Sequence, residues 1–97
     1  MIVGISSFEL HLPASRSLKD KRRVVRSLID RLYQRHRVSL AETDFQDLHQ
    51  RAEISLAAVT NGSAEMERLL EDVRGVVENV SEAYLTRWEP QILEGRP

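Results

Sequence analysis

Two stretches of this chain repeat apolar residues at the period of an α-helix, and each is flanked by stretches in which apolar and polar residues alternate. The helical period covers about residues 17–35 and again about residues 63–80. Alternation is typical of half-buried β-strands. The alternating stretches are approximately residues 1–12, 38–42, 51–60 and 83–92. The chain therefore predicts six elements in the order strand, helix, strand, strand, helix, strand.

That order constrains the fold strongly, because it is the order of the split βαβ, or ferredoxin-like, arrangement. The sequence predicts an α+β fold in which two helices cover one face of a four-stranded antiparallel sheet and leave the other face open. Pro90 predicts that the last strand either lies at an edge of the sheet or frays there, since proline cannot donate a ladder hydrogen bond. In the first strand the alternation changes parity near Ser6 and Ser7, which predicts either a bulge or an end that is apolar on both faces.

A chain of 97 residues is long enough for one domain with its own core. We therefore expect a single domain, with residues 93–97 as a flexible tail. The absence of cysteine excludes disulfides and thiolate metal sites. No apolar run reaches the length of a membrane span, and the N-terminus lacks a signal-peptide pattern. These features favour a cytoplasmic protein with no membrane partner.

The first helix begins with a pattern that caps helices. Ser17 is a suitable N-cap, and Asp20 three residues later resembles the acidic partner of a capping box. At about 100° per residue, one face of the helix carries an apolar stripe. The stripe contains Leu18, Val25, Leu28, Ile29 and Leu32, with Val24 and Tyr33 at its borders. Lys21 falls inside this stripe, so it either extends past the edge of the core or lines a site.

Positive charge is concentrated near the start of this helix. The cations are Arg16, Lys19, Lys21, Arg22, Arg23 and Arg26. Residues 1–37 carry nine Lys and Arg against three acids, whereas residues 38–97 carry five against twelve. A cation at a helix N-terminus is disfavoured by about 0.3–1 kcal/mol, because the helix dipole is positive there. Either an external anion or carboxylates elsewhere in the fold must offset this cost.

Two interpretations of these six cations stay open. In the first, they bind the phosphates of a nucleic acid, most simply RNA, without reading the base sequence. In the second, they are solvated and partly neutralised by Glu67, Glu71 and Glu78 on one flank of the second helix. Recognition of RNA across the sheet needs aromatic side chains on the central strands, and Glu53 and Ser55 offer none. The first helix and the loop before it are therefore the only predicted platform.

Several motifs give the chain a family resemblance. They are ELHLP at residues 9–13, SRSLKDKR at residues 15–22, the positions Val38, Glu42, Asp44, Gln46 and Asp47, and the strand start at Arg51 and Ala52. On these motifs, over about residues 2–92, the chain resembles the YlxP-like family of small bacterial proteins of unknown function. The resemblance implies a ferredoxin-like fold. Because members are often encoded near genes for translation initiation and ribosome maturation, it also implies contact with RNA or the ribosome, and it implies no catalytic residue.

The open face of the sheet provides an alternative without any role in nucleic-acid binding. One end of that face is predicted to carry an apolar patch made of Val3, Ile5, Ala57 and Val59. Exposed apolar patches commonly mark partner surfaces. A homodimer through this face, or through a sheet edge, is the simplest expectation. If a loop or the tail covers the patch, with Trp88 or Leu93 as the covering side chain, the patch is ordinary packing.

An enzymatic function is the least favoured interpretation. Acylphosphatases share the ferredoxin-like fold, but they need a glycine-rich phosphate loop after the first strand, and residues 13–17 contain no glycine. No nucleophile or base is evident, so we expect a non-catalytic protein. The three histidines, His11, His36 and His49, do not have the spacing of metal ligands. We expect neither a metal nor another cofactor.

Overall fold

The computed structural model describes residues 1–95 of the chain. Its elements are β1 (Ile2–His11), α1 (Leu18–Arg35), β2 (Ser39–Asp44), β3 (Arg51–Thr60), α2 (Ser63–Glu78) and β4 (Tyr84–Glu94). The strands form one antiparallel sheet in the order β2-β3-β1-β4. Both helices pack on the same face of this sheet. The predicted α+β, ferredoxin-like arrangement is confirmed.

The central strand β1 forms the floor of the core. Its even-numbered side chains point toward the helices, and Phe8 and Leu10 are fully buried there. Gly4 lies directly beneath α2, since a Cβ atom at this position would come within 2.2 Å of Met66 Sδ. The glycine therefore allows α2 to approach β1 closely. The helices contribute Val24, Val25, Leu28, Leu32, Met66, Leu70, Val73 and Val77 to the same core.

The pairing of β1 decides between the two interpretations of its parity change. β1 pairs with β3 without interruption, from Ile2 opposite Thr60 to His11 opposite Arg51. The strand therefore has no bulge at Ser6 and Ser7 against β3, and its N-terminal end is apolar on both faces. A register shift lies in the pairing with β4 instead, beside Glu9.

The predicted cap of α1 is present. Ser17 is the N-cap, and its Oγ accepts a hydrogen bond from the Asp20 backbone N–H at 3.1 Å. The Asp20 carboxylate reaches one residue farther back than in a standard capping box, accepting from the Arg16 N–H at 3.0 Å. At the other end, His36 is the C-cap and its N–H donates to the Leu32 carbonyl at 2.9 Å.

The last strand is longer than predicted, which corrects the expected tail. Leu93 and Glu94 belong to β4, and the Gly95 N–H donates to the Met1 carbonyl at 2.8 Å. Residues 96–97, the rest of the expected tail, lie outside the described residues. Trp88 packs on the helix side of the sheet, with its ring 5.6 Å from that of Phe8, so it does not cover the open face.

Neither α1 nor α2, within residues 1–95, is apolar over a stretch long enough to cross a bilayer.

Candidate nucleic-acid interface

The outer flank of α1 carries cations that have no ionic partner among residues 1–95. At about 100° per residue, Lys19, Arg22 and Arg26 lie within about 60° of one another around the helix. Arg16 precedes the first turn at the same end. All four side chains are exposed, and within residues 1–95 none of them forms an ion pair, not even Arg26 with Asp30 one turn away. We refer to these four residues as the basic surface.

Lys21 does not belong to the basic surface, which corrects the prediction that it contacts phosphate. Its side chain is only 1% exposed, because it lies in the stripe of α1 that faces the sheet. Its Nζ donates to the carbonyls of Phe45 at 2.8 Å and Arg51 at 3.1 Å, and lies 2.9 Å from Glu42 Oε2. Two of the three ammonium protons are thus hydrogen-bonded, and the Glu42 carboxylate balances the charge without a hydrogen bond of its own. Lys21 is therefore a structural residue.

The connection between β2 and β3 is shaped to receive Lys21. Phe45 has a φ of 62°, in the left-handed region that residues other than glycine rarely adopt. Its carbonyl accepts from both Lys21 Nζ and the Leu48 N–H, the latter at 3.0 Å. Its ring lies 3.8 Å from the guanidinium carbon of Arg51, which is a cation–π contact. Phe45 is thus a packing residue, although it stands in a polar connection.

Arg23 is exposed like the basic surface, but it has an acidic partner. Its guanidinium lies 2.9 Å from Glu82 in the α2–β4 loop, and the hydrogen bond and charge of Glu82 raise the pKa of Arg23. The two side chains are 64% and 49% exposed. Such exposed pairs are screened by salt and contribute little to stability. The fold therefore neutralises this predicted phosphate contact only in part.

The acidic flank of α2 does not neutralise the basic surface. At about 100° per residue, Glu67, Glu71 and Glu78 lie on the side of α2 away from α1. Glu78 pairs with Arg74 on its own helix at 2.9 Å. Glu67 and Glu71 line a groove with Trp88 of β4, and they form no ion pair with any residue from 1 to 95.

The two helices do share one ionic contact, at the far end of α1. Asp72 accepts from Arg35 at 2.9 and 3.1 Å, and its carboxylate lies 2.5 Å from His36 Nε2. The hydrogen bonds from Arg35 and His36 lower the pKa of Asp72. This contact joins the C-terminus of α1 to the middle of α2. It leaves the N-terminal cations of α1 untouched.

The open face of the sheet carries a charged cluster that the sequence analysis missed. Glu9 and Glu53 lie opposite each other on β1 and β3. Arg51 holds Glu9 with two hydrogen bonds of 3.0 and 3.1 Å, and Arg87 lies 2.7 Å from Glu53. Acidic and basic residues on neighbouring strands were the available signal. Predicting their contacts would have required the register between the strands. This cluster satisfies its own charges.

The other end of the open face is apolar, as predicted. The side chains of Ile5 and Val59 are 37% and 63% exposed, and Ala57 is exposed as well. Val3 is half-buried. The alternative in which Leu93 covers this patch is wrong: Leu93 lies beside Val3 in the sheet and is 44% exposed, so it enlarges the patch instead.

Comparison with known proteins places the chain in a family. Residues 3–89 match the model of a family described as protein of unknown function (DUF503). The chain belongs to the DUF503 family. It is also 28% identical, over 85 residues, to the uncharacterized protein YlxP of Bacillus subtilis (strain 168), an alignment that covers 88% of this chain and 92% of that protein. The predicted YlxP-like resemblance is confirmed.

The part of the chain that matches DUF503 contains every site residue named in this subsection except Leu93. The basic surface, the Lys21 site and the charged cluster of the open face all lie within it. The DUF503 description gives no activity, so the function must be argued from the charges and contacts of this chain.

Proposed function

We propose that this protein is a small non-catalytic RNA-binding protein that contacts the phosphate backbone through the basic surface of α1. One observation carries the proposal. Arg16, Lys19, Arg22 and Arg26 are exposed, and no carboxylate within residues 1–95 pairs with them. Arg16 and Lys19 also lie at the first turn of α1, the positive end of its dipole. A cation in the first turn is disfavoured by about 0.3–1 kcal/mol, so a polyanion gains more from this surface than from scattered surface cations.

The chemistry of the surface determines the kind of binding. Its four residues are all cations, which contact phosphates without reading the bases. On the open face, Ser7, Glu9, Glu53 and Ser55 hold one another or the arginines of the charged cluster. We therefore propose sequence-independent contact with an RNA backbone. The gene context that the YlxP-like resemblance implies favours ribosomal RNA.

The proposal is tested by titrating the full chain into a fluorescently labelled single-stranded RNA and measuring anisotropy at low salt. The variant R22E/R26E reverses two charges of the basic surface and is expected to lose affinity by about tenfold or more. R37E/R68E is the matched control, since both arginines are exposed and neither forms an ion pair within residues 1–95. Equal affinities for the two variants, or no binding by the wild type, would reject the proposal.

A homodimer through the open face is the second candidate function. The observation that favours it is the continuity of the apolar patch across three strands, where Val3 lies between Val59 and Leu93. Ile5 and Ala57 form the next row of the same patch. Exposed patches that join neighbouring strands are typical of protein interfaces.

Light scattering at micromolar concentration tests this second candidate. A homodimer is expected to give twice the 11.2 kDa mass of the chain, and V59E is expected to return the monomer mass. A wild-type monomer at all concentrations would exclude the homodimer. The two candidates are separable, because V59E leaves every residue of the basic surface in place.

A further inference from the structure

A groove lies between α2 and the free edge of the sheet. β4 is an edge strand, and its helix-side residues Trp88, Pro90 and Ile92 lie opposite Phe8 and its even-numbered neighbours on β1. Phe8 is fully buried, but Trp88 is only half-buried, Pro90 is exposed and Ile92 is 37% exposed. The helices thus cover the helix-facing side of β1 and leave the same side of β4 partly open.

The rim of this groove is acidic. Glu67 and Glu71 lie one turn apart on the flank of α2 beside β4. Both are exposed, and neither has an ionic partner within residues 1–95. The adjacent Arg74 is held by Glu78 at 2.9 Å, so it does not neutralise them. Arg68 also borders the groove, but lies farther around α2 from β4.

We propose that this groove binds an amphipathic helix of a partner protein. The apolar stripe of the partner helix lies on Trp88 and Ile92. Two basic side chains of that helix, one turn apart, pair with Glu67 and Glu71. Charge complementarity is the basis of this assignment: two free carboxylates spaced by one helical turn match two cations with the same spacing. The surface is separate from the basic surface of α1, so the inference does not depend on RNA binding.

Other occupants are less compatible with the structure. An added β-strand would pair with the free edge of β4, but Pro90 in the middle of that strand has no N–H to donate. A second copy of the chain would have to offer a basic amphipathic helix. Its α1 has that composition, but the apolar stripe of α1 is buried in its own core.

Trp88 provides a direct readout, because it is the only tryptophan in the chain and it lies in the groove. The probe is a synthetic tryptophan-free helical peptide with leucines at the helical period and two lysines one turn apart. A matched peptide carries glutamates in place of these lysines. We expect the lysine peptide to change Trp88 emission and to bind about tenfold more tightly than the glutamate peptide. In ¹⁵N NMR spectra of the full chain, the shifted amides are expected along α2 and β4.

Charge reversal in the rim tests the assignment further. The variant E67K/E71K is expected to weaken the lysine peptide about tenfold and to strengthen the glutamate peptide. D47K/E65K is the matched control: both acids are exposed and unpaired within residues 1–95, and the groove does not include them. The proposal is overturned if E67K/E71K binds the lysine peptide like the wild type or if the shifted amides map to the open face. It is also overturned if neither peptide binds at about 1 mM, or if Trp88 emission changes with protein concentration alone.

Discussion

Lys21 and Arg22 are neighbours in the chain, yet they lie on two sides of α1 that treat positive charge in opposite ways. Lys21 faces the sheet, where two carbonyls and Glu42 surround its ammonium group. Arg22 faces outward, and no carboxylate within residues 1–95 pairs with it. A run of basic residues can therefore combine a structural cation with cations that are free to bind. The partners that make Lys21 structural, Glu42 on β2 and Arg51 on β3, are distant from it in sequence.

The largest expected effect follows from removing the buried cation. Lys21→Met leaves Glu42 without its counter-ion and removes the ammonium donor from the Arg51 and Phe45 carbonyls, of which Phe45 keeps the Leu48 N–H. Because Glu42 is still 21% exposed, we expect the low end of the cost of breaking a buried pair, about 3 kcal/mol. Arg22→Met is expected to change the free energy of unfolding by less than about 0.5 kcal/mol. Urea unfolding of both variants measures the difference. K21M/E42L is expected to recover part of the loss, and equal stabilities of the two single variants would contradict the comparison.

The charged cluster of the open face is a third region, in which mostly half-buried charges have partners. Arg87→Gln removes a cation that lies 2.7 Å from Glu53 and 4.0 Å from Glu9. We expect a loss of about 1 kcal/mol in the free energy of unfolding, with RNA affinity unchanged. A fall in RNA affinity as large as that of R22E/R26E would mean that the open face, and not α1, is the binding surface.

The contact between the two helices predicts a pH dependence. Because Arg35 and His36 lower the pKa of Asp72 in the folded state, the Asp72 contact stabilises the fold above the ordinary carboxyl pKa. This stability is lost as the pH falls through the lowered folded pKa. Asp72→Asn is expected to lower stability slightly at neutral pH, by about 0.5 kcal/mol, and to unfold less steeply below about pH 4. Urea unfolding at several pH values measures this. The prediction is contradicted if the free energy of unfolding falls equally steeply with decreasing pH in the wild type and in Asp72→Asn.

The smallest effect concerns Arg23. Its ion pair is exposed, whereas that of Lys21 is buried and Arg22 has none within residues 1–95. Glu82→Gln removes its exposed partner and adds Arg23 to the free cations of α1. Since such pairs are worth about 0.2–1 kcal/mol, RNA affinity is expected to rise about twofold. Anisotropy titrations at one fixed low salt concentration measure this gain. A decrease in affinity would show that Glu82 does not compete with phosphate for Arg23.

The sequence predicted most of the fold, because its signals are local. The alternation of β1, the Ser17 cap and the apolar stripes of both helices each depend on residues a few positions apart. The end of β4 was mispredicted, since Leu93 joins the sheet through pairing with Val3 ninety residues earlier. Residues of that separation leave no mark in the local pattern.

The candidate site was predictable only in part, for the same reason. The exposed positions of Arg22 and Arg26 follow from the helical period. The buried position of Lys21 depends on the Phe45 carbonyl, which a positive φ presents to it. The partner of Arg23, Glu82, comes from the loop before β4. Lys21 itself was the available clue, because a lysine within an apolar stripe must find partners when it is buried.

The salt dependence of RNA binding tests the central claim most directly, namely that four cations of α1 await phosphates. For single-stranded RNA, each phosphate contact contributes about 0.7 to the slope of log affinity against log salt concentration, so the wild type is expected to give a slope of about −3. R22E/R26E is expected to reduce the magnitude of this slope by about 1.4 or more, while R37E/R68E leaves it unchanged. A wild-type slope near zero, or the same slope in all three proteins, would contradict the account.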